Sequence, residues 1–174
     1  NLPKENDYCF EAGACPGGWT WVLRNLGCKV LACDRAPLVD KLMNDPMLEF
    51  VKHDAFTLKP EEIGKVDWVF SDVICYPERL YEWINKWLDS GLVSNMICTI
   101  KMQGEIDWEL VSKFANIPNS KVVHLCYNKH ELTWMYCKEA IFAFVSSTVK
   151  SCVLLELNSV KGLRSVSPLL KYLS

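Results

Sequence analysis

The stretch Glu11-Ala12-Gly13-Ala14-Cys15-Pro16-Gly17-Gly18-Trp19 constrains the fold more than any other part of this chain. A short apolar run, Tyr8-Cys9-Phe10, precedes it and reads as the end of a buried strand. Thr20 to Leu26 follows it and reads as the first turns of a helix. Gly13, Gly17 and Gly18 fall in the turn between them, where glycine admits positive φ and lets a ligand meet bare backbone. The new helix offers unpaired N–H groups to such a ligand. A strand, glycine turn and helix in this order open an α/β sheet, in which a nucleotide-like cofactor docks beyond the carboxyl end of the first strand. Ala14, Cys15 and Pro16 interrupt the full G-x-G-x-x-G, so a plain three-glycine turn stays open as the alternative.

Strand and helix patterns keep alternating downstream. Lys29 to Asp34 reads as a second strand closing on an acid, and Ala36 to Asn44 as a short helix after Pro37. Leu48 to Val51 reads as a third strand leading into His53-Asp54, and Pro60 to Ile63 as one helical turn. Val66 to Asp72 has a buried-strand pattern that again ends on an acid. Pro77 suits the first position of a helix. Leu80, Tyr81, Ile84, Trp87 and Leu88 follow at helical spacing, and Gly91 stops the run. Asn95 to Lys101 is a strand ending on a base, and Asp107 to Phe114 a helix. Lys121 to Tyr127 and Leu132 to Cys137 are two strands joined by Asn128 to Glu131, most simply an antiparallel pair. The fold class is therefore α/β, a mostly parallel sheet with helices on both faces and a C-terminal antiparallel strand. Beyond it, Ser147 could cap a helix carrying Val149, Cys152, Val153, Leu157 and Val160, ended by Gly162. We expect a catalytic domain over 1–138 and a C-terminal extension, 139–174, packed on the same domain.

The 174 residues suit one domain, and an apolar half of the composition makes disorder a poor reading. The formal net charge of −2 is a poor global match to a polyanion. An RNA partner would have to meet a local basic patch or something outside the chain. From Lys138 onward the charge is +3, against −5 for the rest; a packing helix with solvated lysines explains this as well as an RNA contact does. Nine cysteines without a C-x-x-C read as reduced thiols in apolar runs, as in a cytosolic protein. A zinc site from Cys9, Cys15, Cys28 and Cys33 lacks ligand spacing. No signal peptide or membrane-length run is visible, so we expect a cytoplasmic location and no membrane partner. The first residue is Asn1, which suggests an excised domain.

Three acids, Asp34, Asp54 and Asp72, end successive strands; Lys101 ends the next, and Glu131 opens the last. In a doubly wound sheet those ends share one crevice. Asp34 stands where nucleotide-binding folds place an acid on ribose hydroxyls, in a dehydrogenase as much as in any other enzyme. Asp54 is placed for an adenine edge or, alternatively, as a cap. Lys101 serves as a general base if a dry site or a neighbouring cation lowers its pKa. Held charged by Asp72 and Glu131, it is instead a positioning group or a simple ion pair. His130, beside Glu131, is placed either to touch RNA or simply to be solvated.

These pieces carry a resemblance. Gly13 to Thr20, Cys33-Asp34, His53 to Phe56, Asp67-Trp68, Ser71-Asp72, Ile100-Lys101 and Glu131 to Thr133 agree in order and approximate spacing with one family. From about Cys9 to Cys137 the chain resembles the FtsJ-like S-adenosylmethionine-dependent ribose 2′-O-methyltransferases, closest to the RlmM branch that acts on large-subunit ribosomal RNA. The resemblance implies a Rossmann-like methyltransferase fold. It implies that Gly13, Cys15, Pro16, Gly17, Gly18 and Trp19 hold the amino-acid part of S-adenosylmethionine, with Asp34, Asp54 and Asp72 completing the cofactor site. It implies catalysis by Asp72, Lys101 and Glu131, with Lys101 the base for the ribose 2′-hydroxyl and no metal required. The family's first catalytic lysine lies well upstream of the glycine turn, where this chain has only Lys4, and Glu11 replaces its usual Asp. RlmM-like proteins also carry an N-terminal RNA-binding region absent from this chain, which the enzyme would need. A non-catalytic cofactor-binding scaffold and a methyltransferase for a non-RNA substrate are the rival readings. A nicotinamide dehydrogenase fits less well, because the turn departs from its fingerprint.

Overall fold

The structure is a computed structural model that describes residues 2–139 apart from 103, 126, 127 and 129. The expected C-terminal extension, with its helix capped by Ser147, lies outside the described residues except for residue 139. Among the described residues seven strands form one sheet. In chain order the elements are β1 (Tyr8–Ala12), α1 (Gly18–Asn25), β2 (Lys29–Asp34), α2 (Asp40–Met43), β3 (Leu48–Lys52) and α3 (Pro60–Ile63). Then come β4 (Val66–Ser71), α4 (Pro77–Ser90), β5 (Val93–Lys101), α5 (Trp108–Ala115), β6 (Ser120–Val123) and β7 (Glu131–Cys137).

The strand order is β3-β2-β1-β4-β5-β7-β6. The first five strands pair in parallel, and β7 runs antiparallel to both β5 and β6. The chain lays β2 and β3 on one side of β1, then returns to lay β4 on the other. That reversal between β1 and β4 is the switch point at which the carboxyl ends of an open sheet leave a crevice. The expected α/β class, with its parallel body and antiparallel C-terminal strands, is what the chain forms.

Period-two alternation along each strand divides the interior into two layers. Phe10, Ala12, Leu31, Cys33, Val69, Met96, Cys98 and Ile100 pack with Leu80, Trp83, Ile84 and Trp87 of α4 and with Leu110 and Phe114 of α5. Cys9, Val30, Ala32, Trp68 and Phe70 face the other way, onto Leu23 of α1 and onto Leu38 and Leu42. The α4 stripe at i, i+3, i+4 and i+7 is completed by Trp83, which the sequence reading passed over in favour of the half-buried Tyr81 and Leu88. Trp83 stacks on Phe56 with centroids 4.6 Å apart, tying the post-β3 loop to this layer. Pro77 opens α4 and Gly91, with φ +69°, closes it as expected.

Two elements are shorter than expected. The segment before α2 runs extended beside the glycine turn, with the Val39 N–H donating to the Pro16 carbonyl, so helix begins only at Asp40. Pairing of β6 with β7 starts at Ser120↔Tyr136 and ends at Val123↔Thr133, so β6 does not reach Tyr127. The Ser120 hydroxyl fixes that start by donating to the carbonyls of Phe114 and Ile117 at the end of α5. No helix among the described residues is long and apolar enough to cross a membrane.

Candidate active site

The glycine turn joins the buried end of β1 to α1 at the switch point. Gly13 (φ +79°) and Gly17 (φ +116°) both use conformations closed to most side chains. A Cβ on Gly13 would lie 2.7 Å from Val73 Cγ2, and one on Gly17 would lie 2.4 Å from Leu42 Cδ1. Packing against the Val73 backbone therefore demands glycine at 13, whereas at 17 the obstacle is the end of a flexible leucine side chain and the positive φ is what demands glycine. Gly18 differs: a Cβ there meets nothing within 4 Å, so open space lies beside the first turn of α1. That open space, with bare backbone at its edge, fits a bound cofactor. Cys15 and Pro16 are exposed on the turn. Trp19 packs edge-on against Phe70, with centroids 5.9 Å apart, which gives its ring a structural duty in the second layer.

Asp34, at the end of β2, holds the turn in shape. Its carboxylate accepts the Cys15 N–H at 2.9 Å and the Ala36 N–H at 2.9 Å. Ionised carboxylates have further lone pairs, so ribose hydroxyls remain chemically compatible with it. Asp54 is more heavily committed. One oxygen accepts the Phe56 N–H, and the other pairs with Arg35 at 2.6 Å and Arg79 at 3.2 Å. Burial opposes its ionisation, but Arg35, the Phe56 amide and Arg79 hold its carboxyl below the usual range. The turn-forming role that the sequence left open for Asp54 is thus present, and any adenine contact must share the carboxylate with two guanidinium groups.

Lys101 ends β5, the strand next to β4. Its ammonium is 2.8 Å from Asp72 Oδ1, just past β4, and 3.0 Å from Glu131 Oε1, at the start of β7. The antiparallel register of β5 and β7 sets Lys101 directly opposite Glu131, although 30 residues separate them. Burial pulls the Lys101 pKa down, but hydrogen bonds and charge from Asp72 and Glu131 outweigh it and leave the pKa raised. Of the two roles left open by the sequence, the charged lysine is the one this structure presents.

Sequence reasoning missed the state of Glu11. Its side chain is buried at the end of β1 and accepts the Thr20 hydroxyl at 2.6 Å. Burial pushes its pKa up, Thr20 pulls it down, and the charges of Asp72 and Asp34 push it up again, to about 7. The available signal was an acid inside an otherwise apolar strand. Arg35 and Arg79 were missed too, since neither falls in a recognisable spacing. The four cysteines weighed as zinc ligands do not converge: Cys9 and Cys28 share one layer, Cys33 faces the other, and Cys15 is exposed. A shallow depression of about 250 Å³, lined by Tyr8, Lys29, Met47 and Glu49 among others, lies at the amino ends of β1 to β3, away from Lys101.

Three comparisons bear on this geometry. A family model described as FtsJ-like methyltransferase matches residues 1–131. A ribosomal RNA large subunit methyltransferase M from Alkalilimnicola ehrlichii is 34% identical over 103 residues, covering 59% of this chain and 28% of that protein. The protein of the same name from Thauera aminoaromatica is 31% identical over 143 residues, covering 76% of this chain and 39% of its own. This chain therefore spans well under half the length of those relatives. Among solved structures, a Burkholderia thailandensis 1,6-didemethyltoxoflavin-N1-methyltransferase with bound S-adenosylhomocysteine superposes with a TM-score of 0.54 at 14% identity, covering 78% of this chain and 72% of that one. At that identity the likeness speaks for the fold alone.

Proposed function

The chain belongs to the FtsJ-like methyltransferase family, and from that membership we propose that it transfers a methyl group from S-adenosylmethionine to a ribose 2′-hydroxyl of RNA. The observation that carries the proposal is Lys101, at the carboxyl end of β5, held between Asp72 just past β4 and Glu131 at the start of β7. The names of the relatives support large-subunit ribosomal RNA as the acceptor, and the resemblance supports an N-terminal RNA-binding region as the partner segment that delivers it. A ribosomal RNA acceptor, as in the names of the relatives, supports a cytoplasmic location.

In this reading Gly13, Cys15, Pro16, Gly17, Gly18 and Trp19 surround the amino-acid part of the cofactor, with Asp34, Asp54 and Asp72 along its length. The cofactor supplies an electrophilic methyl group on a cationic sulfonium. The chain's own task is to align the 2′-hydroxyl in line with that methyl and to receive its proton. Lys101 gives up its extra proton more readily beside a second positive charge. As a neutral amine it takes the hydroxyl proton, and Asp72 and Glu131 hold the ammonium that results.

Lys101→Ala tests this. Methyl transfer to ribosomal RNA should fall by about 10²-fold or more, the usual contribution of a positioned base, while cofactor affinity by calorimetry stays unchanged. Retained transfer would remove Lys101 from the chemistry. The raised pKa of Lys101 favours one rival, a cofactor-binding scaffold in which the lysine only completes an ion pair. In that case wild type and variant would bind cofactor alike and neither would transfer. Transfer to protein or small molecules in place of RNA would mark the other rival.

A further inference from the structure

We propose that Ile74 and Tyr76, on the loop between β4 and α4, form a platform on which an unpaired base of the acceptor strand stacks, so that the site takes single-stranded rather than duplex RNA. The proposal rests on the RNA reading above and specifies the form of that substrate.

The loop alternates. Val73 turns inward against Gly13, and Cys75 is buried. Cys75 sits close enough to Arg79, Lys101 and Asp54 for their charges to act on its thiol. These two inward side chains pin the loop between the glycine turn and Lys101. Ile74 and Tyr76 therefore face out beside the reacting centre, 80% and 66% exposed. Tyr76 is also the residue that caps α4, its carbonyl accepting the Arg79 N–H at 3.1 Å, so its backbone is fixed by a 14-residue helix.

Single exposed apolar side chains are ordinary on protein surfaces. Here two sit on one loop, whose Cys75 lies near both Lys101 and Arg79. Arg35 and Arg79, with side chains 76% and 48% exposed, share the one carboxylate of Asp54. Two guanidinium groups share one carboxylate, while Lys101 is faced by the two carboxylates of Asp72 and Glu131, so the arginines are the cations here that outnumber their partner. The Arg79 guanidinium itself lies over the Phe56 ring, 5.3 Å from its centroid, which leaves the Tyr76 ring uncovered. An exposed aromatic ring on the same rim as exposed arginines is the combination that single strands use, with base on ring and phosphate on cation. A duplex hides its base faces and would offer this loop only phosphates and 2′-hydroxyls. A protein partner would require a far larger apolar area than two side chains present.

The test uses the full chain, a fluorescein-labelled mixed-sequence oligoribonucleotide, and the same strand annealed to its complement. Wild type should prefer the single strand. Tyr76→Ala should weaken single-strand binding by about tenfold, in the range expected for one lost base stack, while Tyr76→Phe keeps the platform and the affinity. S-adenosylmethionine affinity should be the same in all three proteins. If Tyr76→Ala and wild type bind the single strand alike, including the case where neither binds, or if the duplex binds as well, the platform is overturned. Failure confined to the oligonucleotide arms, with cofactor binding and methyl transfer intact, leaves the catalytic reading standing. Loss of cofactor binding by wild type removes that reading instead.

Discussion

Glu11→Gln should make the protein more stable as pH rises from about 4.5 to about 7, relative to wild type. A glutamate ionises at its ordinary value of 4.5 in the unfolded chain and at about 7 in the folded one. Between those values the native state binds the extra proton, so wild-type stability falls with rising pH and the loss is complete just above pH 7. The gap corresponds to about 3 kcal/mol at 1.36 kcal/mol per pH unit. Glu11 is 3% exposed, so solvent screening reduces this little. Glutamine does not titrate, and its carbonyl can still accept the Thr20 hydroxyl. Any cost of burying its amide is the same at every pH and shifts the comparison by a constant. The assay is urea unfolding followed by tryptophan fluorescence, for which the chain has seven tryptophans, at intervals from pH 4.5 to 8. Wild-type stability minus variant stability should fall by about 3 kcal/mol across that range, or about 6–12 °C in Tm for a chain of this size. A flat difference would refute the reasoning, because it would mean that Glu11 stays solvated or is already ionised at pH 4.5.

Two further substitutions separate packing from binding at the glycine turn. Gly18→Ala should fold normally and gain about 0.5–1 kcal/mol from reduced backbone entropy, because its Cβ meets only open space. Its S-adenosylmethionine affinity by calorimetry should fall by about tenfold or more; unchanged affinity would mean that the cofactor does not approach that backbone. Asp34→Ala should lose cofactor affinity and also about 1–3 kcal/mol of stability without cofactor, because the Cys15 and Ala36 amides lose their acceptor. Urea unfolding without cofactor checks this, and an unchanged midpoint would restrict Asp34 to ligand binding.

The sequence by itself determined the order of elements, the switch from strand to helix at the glycine turn, and the acids and base at the strand ends. These are local signals: apolar alternation, Pro77 and Gly91 at the two ends of α4, and glycines where φ must be positive. Trp83 was hidden because the α4 stripe already had enough apolar candidates, and only packing against Phe56 decides among them. What tertiary structure alone decided is what depends on distant partners. The antiparallel register of β7 brings Glu131 opposite Lys101. Desolvation between two strands and a helix raises the pKa of Glu11. Two arginines far apart in the chain converge on Asp54. Ionisation follows from dielectric surroundings and from charges a few ångströms away, and neither has a period along the chain. The residue types needed for the chemistry are therefore legible in the sequence, whereas their protonation and pairing come from the fold.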